Sequence, residues 1–117
     1  MESASPHRLI QMLLEGALDK IAAARGHMER GEIQPKGEQV GSAISIIEGL
    51  KSSLDKDRGG EIARNLEDLY IYMERRLIEA NRDNDTSLLD EVSDLLRQIK
   101  EAWDAIADQA AQHATGA

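Results

Sequence analysis

Residues 59–103 read GGEIARNLEDLYIYMERRLIEANRDNDTSLLDEVSDLLRQIKEAW, and the polar turn Asn81–Asp85 divides this stretch into two amphipathic patterns. Apolar residues recur every three or four positions on each side of the turn, which is the period of a helix with one buried face. Asp85 or Thr86 can cap the helix that follows. The apolar positions are Ile62, Leu66, Leu69, Tyr70, Met73, Leu77 and Ala80 before the turn, and Leu88, Leu89, Val92, Leu95, Leu96, Ile99, Trp103, Ile106 and Ala110 after it.

The N-terminal half contains two further helical patterns. Ser5 and Pro6 form a helix start, because serine caps free amides and proline fits the first helical position. Gly31 offers a stop for this helix, and Gly31–Gly37, which contains Pro35, is typical of a loop. The apolar positions are Leu9, Ile10, Leu13, Leu14, Ala17, Leu18, Ile21, Ala24 and Met28 in the first pattern, and Val40, Ala43, Ile47, Leu50 and Leu54 in the second.

These patterns predict an all-α fold, because no stretch alternates in the manner of a strand. Four apolar stripes joined by short connections, of which Asp55–Gly60 is one, are buried most simply in an antiparallel four-helix bundle. The helices are expected at roughly residues 6–30, 36–54, 61–81 and 86–112 of a single domain, residues 1–117. Trp103 is expected to be largely buried on the apolar face of the last helix.

Composition excludes several classes of function. The chain has 22 acidic against 14 basic residues and a net charge of -8, which opposes binding to nucleic acid or to anionic membranes. No apolar run is long enough for membrane insertion and no signal peptide is evident, so a cytoplasmic protein is expected. Cysteine is absent, which removes disulfides and thiol chemistry.

Catalytic and metal-binding patterns are also missing. A di-metal bundle uses a Glu-x-x-His step, but alanine stands three residues before His7, His27 and His113. His27 is followed by a basic residue and Gly31, an order seen in phosphotransfer bundles. Gly31 ends the helix, however, whereas a phosphorylatable histidine needs a rigid position within one. We therefore expect no enzyme activity, no cofactor and no metal, and acid-labile phosphate on His27 would reveal the phosphotransfer alternative.

Several isoleucines fall outside the apolar stripes and are candidates for binding a partner. Ile71 and Ile78 are seven residues apart on the side of their helix away from the stripe, among charged residues. Ile44 and Ile46 flank the stripe of the second helix on either side. A contiguous patch of such residues would form a groove for a partner helix. The candidate partner-binding residues are Ile44, Ile46, Ile71, Ile78, Leu9 and Tyr72.

The order and spacing of several motifs resemble those of the flagellar secretion chaperones, which escort flagellin to the export apparatus. The resemblance covers nearly the whole chain. Its motifs are Ser5-Pro6, Leu9-Ile10, Gly16-Ala17-Leu18, Ala43-Ile44, Ile46-Ile47, Leu50, Leu54-Asp55 and the stretch from Gly59 to Trp103. The resemblance implies an antiparallel helical bundle that binds the disordered C-terminal segment of flagellin, prevents its premature polymerisation and presents it to a component of the export gate.

The start of the chain departs from the family pattern. Family members carry further residues before the Ser-Pro start, including a tyrosine, and that stretch covers part of the binding surface. Only MESA precedes Ser5 here, so we expect the covering stretch to be missing and the protein to self-associate when no partner is bound. A structural module that binds helices stays open as a further alternative, and failure to bind any disordered helix would mark a purely structural bundle.

The absence of metal-ligand patterns predicts that folding does not depend on a metal. The melting temperature should be the same with and without EDTA at constant ionic strength, because no bound ion contributes to the free energy of folding. An appreciable fall in EDTA would contradict this prediction.

Overall fold

The computed structural model describes residues 5–116, with side chains as far as residue 106. It contains four helices, α1 (Pro6–Glu29), α2 (Ile33–Ser52), α3 (Lys56–Asp83) and α4 (Thr86–Gly116). Helix α1 packs against α2 and α4, and α3 packs against the same two helices, so the four surround one core. No strand occurs among residues 5–116. The predicted all-α four-helix bundle is confirmed.

Contacts between the helices give their relative directions. On α1 and α4, Gln11 meets Asp104 while Arg25 meets Asp90. On α2 and α3, Lys36 meets Asn81. Residue numbers therefore rise on one helix as they fall on its neighbour, which is the antiparallel arrangement. None of the described helices is long and apolar enough to cross a membrane.

The core is one apolar cluster to which all four helices contribute. Its buried members are Leu14, Ala17, Ile21, Ala24, Met28, Val40, Ala43, Ile47, Leu50, Tyr70, Met73, Leu77, Ala80, Leu89, Val92 and Leu96. All of them belong to the apolar stripes expected from the sequence. With cysteine absent, burial of this surface is the main source of stability.

Helix α1 begins and ends as its sequence predicts. The Ser5 Oγ accepts a hydrogen bond from the amide of Arg8 at 3.1 Å, and Pro6 occupies the first turn. At the other end, Gly31 adopts a left-handed φ of 72° and its amide bonds to the carbonyl of Met28. Glycine adopts such a conformation at little cost because it has no Cβ, and the conformation reverses the chain after the last turn.

Two helix starts differ from the expected boundaries. Helix α2 begins at Ile33 rather than near residue 36, because Pro35 lies in its first turn, where a missing amide hydrogen costs little. Helix α3 begins at Lys56 rather than 61, because Asp55 caps a turn that the sequence suggested was a loop. The helical axis then kinks at Gly60, whose φ of 52° and ψ of -125° suit glycine alone.

The end of α3 is held by a buried lysine. Lys36 is only 6% exposed, and its Nζ donates to the carbonyl of Asn81 and to Asn84 Oδ1, each at 3.0 Å. Asn84 has a left-handed φ of 56° and follows the last turn of α3. The ammonium therefore satisfies acceptors at a helix C-terminus, where positive charge is favourable. Sequence periodicity alone gave no sign that this lysine is buried.

Three residues expected on buried stripes are exposed. Ile62 is 72% exposed because the adjacent Ala63 takes the core position of the first full turn after the kink. Ile106 is 50% exposed and lies on α4 one turn beyond Trp103. Leu9 is also 50% exposed, and it lies beside a pocket described below.

Leu77 and Ile78 form a matched pair for testing the core, since they are adjacent and 0% and 55% exposed. Replacing Leu77 with Ala should reduce the free energy of unfolding by about 2–5 kcal/mol through lost burial and a cavity. The same change at Ile78 should cost less than about 1 kcal/mol. Urea unfolding of both variants measures the difference, and equal losses would contradict the assignment of these two faces.

Candidate functional site

Three of the six candidate residues lie along the groove between α2 and α3. Lys51 on α2 bonds to Glu74 on α3, with 3.0 Å between Nζ and Oε1. Ile71 and Ile78 stand three residues before and four after Glu74, on the same edge of α3, and are 40% and 55% exposed. Ile44 stands seven residues before Lys51, on the matching edge of α2, and is half-buried. We call Ile44, Ile71 and Ile78 the α2–α3 groove.

Small residues leave the α2 side of this groove open. Gly37 stands seven residues before Ile44 on the same edge of α2, whereas Gly41 borders a depression that also includes Lys20 of α1 and Ile46. A Cβ added at either glycine would meet no atom within 4 Å. An exposed glycine within a helix is less favourable than alanine by roughly 1 kcal/mol. The open edge lets another backbone approach α2 closely.

Charged side chains of α2 and α3 form ion pairs with each other at one position along the groove. Lys51 Nζ lies 3.0 Å from both Glu48 and Glu74, so it joins carboxylates of two helices. Burial raises the pKa of Glu74, and the hydrogen bond with Glu74 raises the pKa of Lys51. These groups hold α2 against α3 and leave the isoleucines as the apolar part of the surface.

The other candidate residues lie elsewhere. Ile46 is half-buried on the α1 side of α2, where its Cδ1 would lie 3.5 Å from a Cβ added at Gly16. Leu9 lies near the start of α1. The structure therefore distributes the six candidates over several surfaces instead of gathering them in one site.

Tyr72 connects α3 to α4. Its hydroxyl donates to Glu91 Oε2 at 2.6 Å, and Arg76 Nε donates to the other oxygen at 2.8 Å. The guanidinium also lies over the Tyr72 ring, 5.6 Å from its centre. The hydrogen bond from Tyr72, and after it that from Arg76, hold the pKa of Glu91 below its ordinary value of 4.5. This geometry gives Tyr72 a role in packing the two helices.

Two adjoining pockets at one end of the bundle were not anticipated. The inner pocket has a volume of about 320 Å³ and reaches the core. The outer pocket has a volume of about 500 Å³ and includes Leu9. The inner pocket is lined by Ile10, Leu14, Leu50, Ser53, Leu54, Asp55, Gly59, Ile62, Ala63, Leu66, Tyr70, Ile99 and Trp103, and the outer by Pro6, His7, Leu9, Ile10, Leu13, Ser53 and Trp103.

Trp103 lies between these pockets on the apolar face of α4, as expected, where it packs against the core and stays partly exposed. Its Nε1 donates to the carbonyl of His7 at 3.0 Å, and the two rings stack with centres 4.3 Å apart. The indole N–H needs an acceptor, which the apolar core does not offer. The carbonyl at the start of α1 supplies one and places the ring at the end of the bundle.

His27 lies in the last turn of α1, as expected. Its Nδ1 is 2.7 Å from Glu32 Oε1, and Arg30 contacts the same imidazole nitrogen. Both partners lie at the end of the helix, so the ring takes part in closing the α1–α2 connection. In the described part of the chain, no group of three or more His, Asp or Glu side chains is arranged to hold a metal ion.

A family sequence model described as Flagellar protein FliS matches residues 1–110. This chain belongs to the flagellar protein FliS family. It is 58% identical over 106 residues to the flagellar secretion chaperone FliSB of Pseudomonas aeruginosa, covering 91% of this chain and 84% of that protein. It is 50% identical over 109 residues to the flagellar secretion chaperone FliS of Salmonella typhimurium, covering 92% and 81%.

The similarity extends to distant members of the FliS family. The flagellar secretion chaperone FliS of Bacillus subtilis is 34% identical over 103 residues, covering 88% of this chain and 76% of that protein. The resemblance drawn from the motifs is confirmed at the level of the family.

The Tyr72–Glu91 bond predicts a pH-dependent effect of Tyr72→Phe in this FliS family member. The pKa of Glu91 is depressed in the folded state, so its ionised form stabilises the protein at neutral pH. That contribution is lost as the pH falls through the folded-state pKa. Tyr72→Phe should therefore be less stable than the parent at pH 7, and the difference should shrink as the pH falls below 4.5 and through the depressed pKa of Glu91. Urea unfolding across this range measures it, and a gap that stays constant with pH would contradict the assigned bond.

Proposed function

We propose that this protein is a cytoplasmic flagellar secretion chaperone, one domain over residues 1–117, that binds the disordered C-terminal segment of flagellin. By covering that segment it prevents premature polymerisation and delivers flagellin to the flagellar type III export apparatus. Membership of a family whose relatives are named flagellar secretion chaperones carries this proposal. The function is binding and release, without catalysis or a cofactor.

The α2–α3 groove supports the proposal because it suits an amphipathic helix. Such a helix places apolar side chains every three or four residues into a partner's groove. Ile71 and Ile78 are spaced by two helical turns, and Ile44 faces them across the groove. The open edge at Gly37 lets the bound backbone lie close to α2.

A rigid bundle and a flexible client form a favourable combination. A disordered segment loses conformational entropy when it binds, so the surface that receives it must contribute a large apolar area. The α2–α3 groove and the two end pockets are separate apolar surfaces on different parts of one bundle. A chain that folds on contact can cover both, which a compact globular partner cannot do as easily.

Two further partner assignments belong to the same proposal. A component of the export gate would bind the loaded chaperone on a surface that flagellin leaves free. Without flagellin, exposed apolar residues such as Ile71 and Ile78 would favour self-association at high concentration, and bound client would reverse it.

Ile78→Asp tests the proposed role of the groove. Because Ile78 is 55% exposed, the variant should fold normally. Placing a carboxylate against an apolar helix should weaken binding of a flagellin C-terminal peptide by about 2 kcal/mol, roughly 30-fold in Kd. Isothermal titration calorimetry measures the change.

The matched control is Ile106→Asp, which alters an isoleucine with 50% exposure on α4. It should leave the affinity unchanged. Failure of the parent protein to bind any flagellin C-terminal peptide would refute the proposed function. Equal affinity for Ile78→Asp and the parent would remove Ile78 from the binding surface.

A further inference from the structure

His7 provides both the polar contact and the stacking contact of the chain's one tryptophan, Trp103. Its indole nitrogen bonds to the His7 carbonyl at 3.0 Å, and one face of the ring is covered by the His7 imidazole, with an angle of 8° between the planes. Both interactions come from the first turn of α1. The polar contact and the stacking contact of Trp103 would thus be lost together if that turn moved.

The first turn of α1 is weakly held. The first amides of a helix have no partner within it, and helix ends open more readily than their middles. Here the turn is secured by the hydrogen bonds that Ser5 accepts from Arg8 and Leu9. The His7 Nε2 is buried, and no described residue forms a hydrogen bond with it. An unsatisfied buried nitrogen is costly, and it would gain water if the turn opened.

Trp103 lies where the inner and outer pockets meet. Both pockets include Ile10, Ser53 and Trp103 in their walls. Ile10 and Ser53 belong to α1 and to the end of α2, so the indole is the part of the shared wall that belongs to α4. Its ring is also the bulkiest of the three side chains. If it moved aside, the two pockets would join into one apolar cleft across the end of the bundle.

We infer that His7 and Trp103 form a latch that keeps the two pockets separate until a client helix opens it. In the closed state the indole is held by His7 and divides the cleft. In the open state His7 leaves the indole, and the joined cleft accepts successive apolar side chains of one amphipathic helix. The identity of that helix, within the flagellin C-terminal segment, rests on the proposed function.

The latch makes apparent affinity depend on the fraction of molecules that are open. A ligand that binds only the open state has an apparent Kd equal to its intrinsic Kd divided by that fraction. A variant that cannot close should bind more tightly without any new contact. If the His7–Trp103 stack contributed only to stability, removing it would not change the apparent Kd of a ligand. The change in apparent Kd therefore distinguishes a latch from a purely stabilising contact.

The test compares the parent with His7→Ala, which removes the stack, and His7→Phe, which keeps an aromatic ring over the indole. The probe is Nile red, a neutral apolar dye whose binding is not opposed by the net charge of -8. His7→Ala keeps the backbone carbonyl contact but loses the stack, so it should be open more often and bind the dye more tightly, by up to about fivefold if about a fifth of parent molecules are open. Acrylamide should also quench Trp103 fluorescence more strongly in His7→Ala, and His7→Phe should restore both readings towards the parent.

Met12→Ala is the matched control, because Met12 is a 48% exposed residue of α1 that lines neither pocket. It should leave both readings unchanged. An unchanged dye affinity in folded His7→Ala would overturn the latch, whatever the effect on melting temperature.

Two measurements keep the latch separate from the proposed function and from folding defects. In the parent, the indole N–H hydrogen of Trp103 should exchange with solvent faster than the amide hydrogens in the core of α4. Equal protection of these hydrogens would overturn the latch. This measurement uses only the parent, so it decides the question even if His7→Ala fails to fold. A flagellin C-terminal peptide should bind His7→Ala more tightly than the parent. If the peptide binds neither protein, the proposed function fails while the dye and exchange results still decide the latch.

Discussion

One core shared by four helices is the constraint on which the rest of this structure depends. Each helix must direct a single apolar stripe towards the same interior, and with no disulfide available this burial dominates the free energy of folding. A straight helix can bury only part of its circumference in that interior. Apolar residues beyond that part, such as Ile71 and Ile78, are therefore left on the surface, and the binding role proposed for them follows from this geometry.

The fold could be predicted from the sequence because helical periodicity depends only on neighbours along the chain. The stripes of all four helices and the glycine stop of α1 were recognised in this way, and so was the exposure of Ile71 and Ile78. Periodicity assigns a residue to a face, but it does not reveal how far the neighbouring helix extends. Ile106, for example, belongs to the apolar stripe of α4 but is 50% exposed.

The end pockets could not be predicted because they are formed by residues brought together only by folding. Ile10, Leu54 and Ile62 come from different helices or connections and have no shared spacing in the sequence. The sequence placed Trp103 on the apolar face of α4, where it packs against the core, but gave no sign that the His7 carbonyl at the start of α1 accepts its N–H. The family relationship identifies the class of protein, but the placement of these side chains required three-dimensional contacts.

The buried ammonium of Lys36 also determines how α2 and α3 align. Two antiparallel helices with regular apolar stripes can slide by one turn and still bury similar surface. A shift of one turn would move the Lys36 Nζ by about 5.4 Å, away from the backbone carbonyl of Asn81 and the side-chain Oδ1 of Asn84. A buried charge without acceptors is strongly unfavourable, so the shifted pairing is penalised although its apolar contacts survive. Lys36 near the start of α2 and Lys51 near its end, which bonds to Glu74, thus both favour the observed register.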